Sequence, residues 1–106
     1  MRVPRANWQI ALYWQTSQTL SEDYTISVRP RVGEQAITVN GEALIQDHQP
    51  VWGFYPTSRW GPGIIVRDVY ALSLPVGVNP DNVQIVVYKA TSTGFKNLAE
   101  QTIVTR

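Results

Sequence analysis

Cysteine is missing from this 106-residue chain, which excludes disulfides, thiolate metal sites and a cysteine nucleophile. Its absence suits oxidising and reducing compartments alike and so does not place the protein. No run approaches the roughly 20 apolar residues of a membrane span, so direct membrane insertion is not expected. The opening residues, MRVPRANW, lack the apolar stretch of a signal peptide. Met1 reads equally as a native start or as an addition in front of a domain excised from a larger protein. Charge of one sign is also lacking: nine Lys and Arg face eight Asp and Glu, for a net charge of +1. Nucleic acid calls for a basic stripe and is excluded as a partner. No GxSxG, HExxH, P-loop or GxGxxG pattern occurs, and the one histidine and Ser58 have no evident catalytic partner.

What remains is an apolar content of 43% with 16% charged residues, ordinary for a globular domain and too apolar for disorder. Residues 1–106 read as one domain, which buries roughly 65% of its unfolded surface. Period-two alternation dominates. Trp8, Ile10, Leu12 and Trp14 share one face of a strand over 8–15, with Gln9, Ala11, Tyr13 and Gln15 on the other. Tyr24, Ile26 and Val28 alternate with Thr25, Ser27 and Arg29, and Pro30 places this strand at an edge or ends it in a bulge. Asn40-Gly41 is the strongest hairpin signal, suited to a type I′ turn. A return strand over 42–48 puts Ala43, Ile45 and Asp47 on one face.

The longest β-like run, 64–75, carries Val66, Asp68, Tyr70, Leu72 and Leu74 on a common face. Residues 83–90 are nearly continuously apolar, as in a central strand covered on both sides. A turn over 91–94 follows, Phe95 and Leu98 are placed as plugs at one end of the core, and the last residues form a strand. No helix longer than one turn, at 98–101, is expected. The fold class is therefore all-β: a single antiparallel β-sandwich of about seven strands, immunoglobulin-like or jelly-roll-like.

The chain is organised around residues 46–68, QDHQPVWGFYPTSRWGPGIIVRD. Asp47 and Asp68 bracket an irregular loop bearing Trp52, Phe54, Tyr55 and Trp60, and Pro56, Gly61, Pro62 and Gly63 keep it out of helix or ladder. Asp68 shares parity with apolar residues and faces inward, where a carboxylate needs hydrogen-bond donors. The loop's own N–H groups are the nearest supply. Pro56-Thr57-Ser58 opens a tight turn with Thr57 or Ser58 as a local cap, and Trp60 folds down as a lid. His48 is read as a solvent-facing strand residue, on the opposite side from Asp47. Two carboxylates are too few for Ca²⁺, which takes about six to eight oxygens, so neither metal nor cofactor is expected. A glycosidase-like acid–base pair of Asp47 and Asp68 is conceivable, although no spacing requires it. The rings of Trp52, Phe54 and Tyr55 are open to three roles: core cap, docking surface, or sugar contact.

These residues resemble a known bacterial domain. LYWQ, DYTISV, NGEALIQDHQP, YPTSRWGPG, RDVYALSLP and TSTG are similar in order and type to the carboxy-terminal β-sandwich of multi-spanning membrane glycosyltransferases of the protein-mannosyltransferase-like class, found also on related cell-surface proteins. The likeness runs from about Trp8 to Leu98. Its most specific part is Asp47, Pro50, Tyr55, Pro56, Thr57, Ser58, Trp60, Pro62, Gly63 and Asp68. The segment between Val28 and Asn40 is longer than in the family pattern, and Val87 stands where a glycine precedes the late tyrosine. The resemblance implies a non-catalytic accessory domain on the extracytoplasmic face of the membrane, partnered by a neighbouring domain of the parent protein. No catalytic residue carries over. One alternative is a carbohydrate-binding module that takes a glycan on Trp52, Tyr55 and Trp60; another is a small hydrolase using Asp47 and Asp68.

Overall fold

A computed structural model describes residues 5–104. These form nine strands and two short 3-10 turns, with no α-helix. The strands are β1 (Arg5–Trp14), β2 (Thr25–Val32), β3 (Gln35–Ala36), β4 (Thr38–Val39), β5 (Glu42–Ala43), β6 (Gln46–His48), β7 (Val66–Pro75), β8 (Asn82–Thr91) and β9 (Gly94–Val104). The count exceeds the expected seven because β3, β4 and β5 are two-residue pieces of the long 29–43 segment. All pairings are antiparallel. One sheet is β1-β7; the second runs β3-β2-β8-β9 with β6 also beside β2; β4-β5 is a separate ribbon.

The core lies between the two larger sheets. Alternation sends Leu12 and Tyr70 inward from β1-β7, and Ile26, Val28, Val83, Ile85 and Val87 inward from β2-β8. Trp8, Ile10, Trp14, Tyr24 and Ile103 pack around them, half-buried. The expected faces of the first and seventh strands hold along their whole length. β8 is central, paired with β2 on one edge and β9 on the other, and Val86 on its outer face is buried as well. The Asn40-Gly41 turn closes β4 on β5 with positive φ at both residues, 54° and 81°, as a type I′ turn requires.

Four expectations are corrected. Pro30 neither ends β2 nor marks its edge, since it is buried in the middle of the ladder opposite Val83. The Arg31 carbonyl faces β8, where it accepts the Asp81 N–H. By alternation the Pro30 nitrogen faces the other edge, where β2 changes partner from β6 (to Val28) to β3 (from Arg31). The missing donor thus falls in a gap with no ladder bond to lose. The 42–48 strand is broken at Leu44 and Ile45, so its outer half pairs with β4 and its inner half with β2. Ile64 and Ile65 lie outside β7 and are exposed. Finally, Phe95 and Leu98 do not plug the core: they stand 75% and 55% exposed on β9, which is one continuous strand with no helical turn.

The sandwich is not closed on all sides. β1 pairs only with β7 and β9 only with β8, so each keeps one unpaired edge among the described residues. Between them lies an apolar cleft of about 290 Å³, floored by Leu12, Trp14, Ile85, Val87, Ala99 and Ile103. β9 also carries a bulge: Val87 opposes Ala99 and Tyr88 opposes Asn97, leaving Leu98 as the extra residue.

The contrast between core and edge is directly measurable. Ile26→Ala removes a side chain that is 1% exposed and is expected to lower stability by about 2–5 kcal/mol. Leu98→Ala is expected to change it by no more than about 0.5 kcal/mol. Equilibrium denaturation of both variants checks this, and a large loss for Leu98→Ala would restore that residue to the core.

Candidate functional site

β6 delivers the chain into the aromatic loop and β7 receives it. Directly after β6, Pro50 is buried, and Val51 and Trp52 both adopt left-handed backbone with φ 54°. A β-branched residue in that region is a true outlier, and each such residue sacrifices about 1–2 kcal/mol. Gly53, at φ 85°, completes the reversal, with its N–H on the Gln49 carbonyl at 3.1 Å and the Phe54 N–H on Val51 at 3.0 Å.

A closed circuit of contacts fixes this strained turn. The Val51 N–H donates to Asp68 Oδ1 at 2.8 Å, and Asp68 Oδ2 accepts the Tyr70 hydroxyl at 2.5 Å. The Tyr70 ring stacks on His48, with centroids 4.1 Å apart and planes 6° from parallel. His48 in turn stacks on Trp52 at 3.9 Å. Asp68 is 1% exposed and Tyr70 fully buried. Burial, together with the hydrogen bond to Asp68, pushes the Tyr70 hydroxyl far above the ordinary tyrosine range, so it stays a donor wherever the fold persists.

His48 is therefore not a solvent-facing residue. It lies opposite Ile26 in the β2-β6 ladder and faces the core side, whereas Asp47, opposite Ser27, faces out. The register with β2 sets this orientation, which alternation within 42–48 alone does not reveal. His48 Nδ1 lies 2.7 Å from the Gln49 carbonyl, so that nitrogen carries the proton. Nε2 is buried without a partner among the described residues.

The second half of the loop is tied to the 15–24 connection. Trp60 is 4% exposed and lids the core beside Trp14, its centroid 6.4 Å away, with Nε1–H on the Tyr55 carbonyl at 2.8 Å. Its ring is thus withdrawn from any ligand. Thr57 and Ser58 are not local caps of the 3-10 turn Thr57–Arg59. The Thr57 hydroxyl donates to the Glu22 carbonyl and accepts the Tyr24 N–H, and the Ser58 N–H donates to Asp23. Bonds from the Ser58 hydroxyl and backbone hold Asp23 below the usual carboxylate range. The Gly63 N–H meets the Thr16 carbonyl at 2.9 Å, with φ 79° at Gly63. Asp23 went unrecognised in the sequence, although an acid two residues before a strand is a ready acceptor for a loop N–H.

Trp52 (59%) and Phe54 (83%) project into solvent, while Tyr55 is half-buried. The expected binding set of Trp52, Tyr55 and Trp60 is therefore split between surface and core, and Phe54 joins Trp52 at the tip. Asp47 accepts the Ser27 hydroxyl at 2.5 Å and the Tyr88 hydroxyl at 2.6 Å on the outer face of the sheet. Burial first, and then Asp47, push Tyr88 up to about 12. Asp47 and Asp68 thus stand on opposite sides of β6 and share no cleft. Among the described residues no group of three or more His, Cys, Asp or Glu could hold a metal ion. Comparison with known protein families, with characterised proteins and with solved structures finds no match.

Two measurements test this architecture. Asp68→Ala strands two buried donors and is expected to cost about 2–5 kcal/mol; Trp60→Ala is expected to cost about 3–5 kcal/mol. Their combination should fall short of the sum, since a freed loop already releases its lid. Denaturation of the singles and the double reads the coupling, and strict additivity would separate the two roles. The second measurement concerns alkaline pH. With its folded value raised from 10.0 to about 12, Tyr88 contributes stability that is complete below the unfolded value and lost as pH climbs toward the folded one. Tyr88→Phe should flatten the decline of denaturation midpoint over that window; an unchanged slope would refute the assignment.

Proposed function

We propose that the chain is a non-catalytic interaction module, an accessory β-sandwich that docks through the tip of its aromatic loop. The observation that carries this reading is the pairing of strain with exposure. Val51 and Trp52 are forced into left-handed backbone, and the result of that strain is to present Trp52 and Phe54 to solvent. A loop serving only as a core cap would turn those rings inward. Strain of this kind persists only where surrounding structure over-determines it, and it concentrates at functional sites. Rigid, exposed aromatics are what docking surfaces use as anchors, because few rotamers are lost on binding.

The aspartates support a binding role over chemistry. Asp68 is enclosed in the core and Asp47 faces out from the other side of the sheet, so a paired acid and base has no common substrate position. The similarity to accessory domains of membrane glycosyltransferases supports an extracytoplasmic setting, with a neighbouring domain of the parent protein as partner. No helix of the described residues is long and apolar enough to cross a membrane.

A photo-crosslinking side chain placed at position 54 in the intact parent protein, in its native envelope, is expected to give a discrete adduct with a neighbouring domain. The same group at position 76, exposed on Val76 at a distant turn, should give none. Equal labelling at both positions, or none at 54, would remove the loop as the docking element.

A further inference from the structure

The outer face of the larger sheet holds a second feature, independent of the loop. Two hollows, about 260 and 410 Å³, lie side by side and share Arg29. The first is lined by Arg29, Asp47, Tyr88, Phe95 and Asn97. The second continues past Arg31, Glu34 and Gln84. Together they form a trough across β6, β2, β8 and β9.

Its polar groups are set in place by one another. The Ser27 hydroxyl, fully buried, donates to Asp47 and accepts Arg29 Nε–H at 2.9 Å. It thereby holds the guanidinium and the carboxylate beside each other without a direct ion pair, since among the described residues only Lys89 and Glu22 form one. Tyr88 fixes the other carboxylate oxygen, and the Phe95 ring stands edge-on to Tyr88 with centroids 5.3 Å apart. Both Nη groups of Arg29 and the side-chain amide of Asn97 make no hydrogen bond among the described residues. Phe95 leaves three quarters of its surface to solvent.

We infer that this trough binds a neutral oligosaccharide, one sugar ring lying on Phe95 with its hydroxyls between Asp47 and Arg29. A hydroxyl both donates and accepts, so it can bridge a carboxylate and a guanidinium that are held apart. The C–H face of a pyranose covers an aromatic ring, and a site of one apolar platform with a few convergent polar groups orients such a ligand. Charge selects neutrality: Arg29 and Arg31 are balanced by Asp47 and Glu34 along the lining, so neither an anionic nor a cationic chain gains by entering. The second hollow gives room for a further ring, so the ligand is longer than a monosaccharide.

The test uses ¹⁵N-labelled protein and amide spectra with cellotriose, maltotriose and mannotriose, alongside a galacturonate trimer and a glucosamine trimer. At millimolar concentration one neutral trimer is expected to shift the amides of Arg29, Asp47, Tyr88, Phe95 and Asn97. Phe95→Ala and Asn97→Ala, both at exposed edge positions, should each weaken that binding at least about tenfold, while Phe95→Trp restores it. Trp52→Ala should leave it unchanged, which distinguishes this site from the docking loop. No response to any neutral trimer, a stronger response to a charged one, shifts confined to residues 50–55, or full binding by Phe95→Ala would each overturn the proposal.

Discussion

The buried carboxylate of Asp68 is the constraint on which the rest of the structure depends. Enclosing a charged group between two sheets is unfavourable unless its oxygens are met by donors. Here one donor is a backbone N–H from the loop and the other is the hydroxyl of a fully buried tyrosine. That arrangement joins an irregular segment to the centre of the core through two bonds. Val51 stands in left-handed backbone directly beside the buried Pro50, with its N–H held by this carboxylate. The aromatic stack of Trp52, His48 and Tyr70 closes the loop from the other side. Each contact restrains the one before it, so rigidity at the surface derives from satisfaction in the interior.

The two aspartates that flank the loop use the same chemistry for different ends. Asp68 fastens the loop to the core; Asp47 joins three strands on the outer face through Ser27 and Tyr88. Because adjacent residues of β6 leave on opposite sides, Asp47 and His48 serve two separate surfaces from neighbouring positions. One short strand thereby supplies both the ring stack beneath the aromatic loop and the carboxylate that accepts two hydroxyls on the outer face.

Much of this was legible in the chain, where local rules and tertiary context agree. Alternation in β1 and β7 assigned the inward faces, and the parity of Asp68 with Val66 and Tyr70 placed it inside. Asn40-Gly41 announced its turn. The parts that could not be read are those decided by a partner distant in sequence. Pro30 is tolerated because β2 changes neighbours beside it, a fact set by β3 and β6 and not by residues 29–31. Phe95 and Leu98 look like core residues by type, yet both stand exposed on β9, an edge strand paired only with β8 among the described residues. Thr57 and Ser58 find their partners at residues 22–24, more than thirty positions away. The inward face of His48 depends on its register with Ile26 of β2, a partner that period-two reasoning within 42–48 does not supply.

The bulge at Leu98 has a consequence for how copies of the chain meet. Lys96-Asn97-Leu98-Ala99-Glu100 is symmetric in charge: an antiparallel copy centred on Leu98 would bring each lysine opposite a glutamate. In a regular strand those pairs would share a face and zip two edges into one continuous sheet. The extra residue shifts the phase, so that Lys96 follows Lys89 toward one side while Glu100 follows Val86 toward the other. A matching edge then meets its ion pairs on opposite surfaces and cannot form them. A single out-of-step residue thus parts the two charges of the segment and sets them on different faces of the same edge.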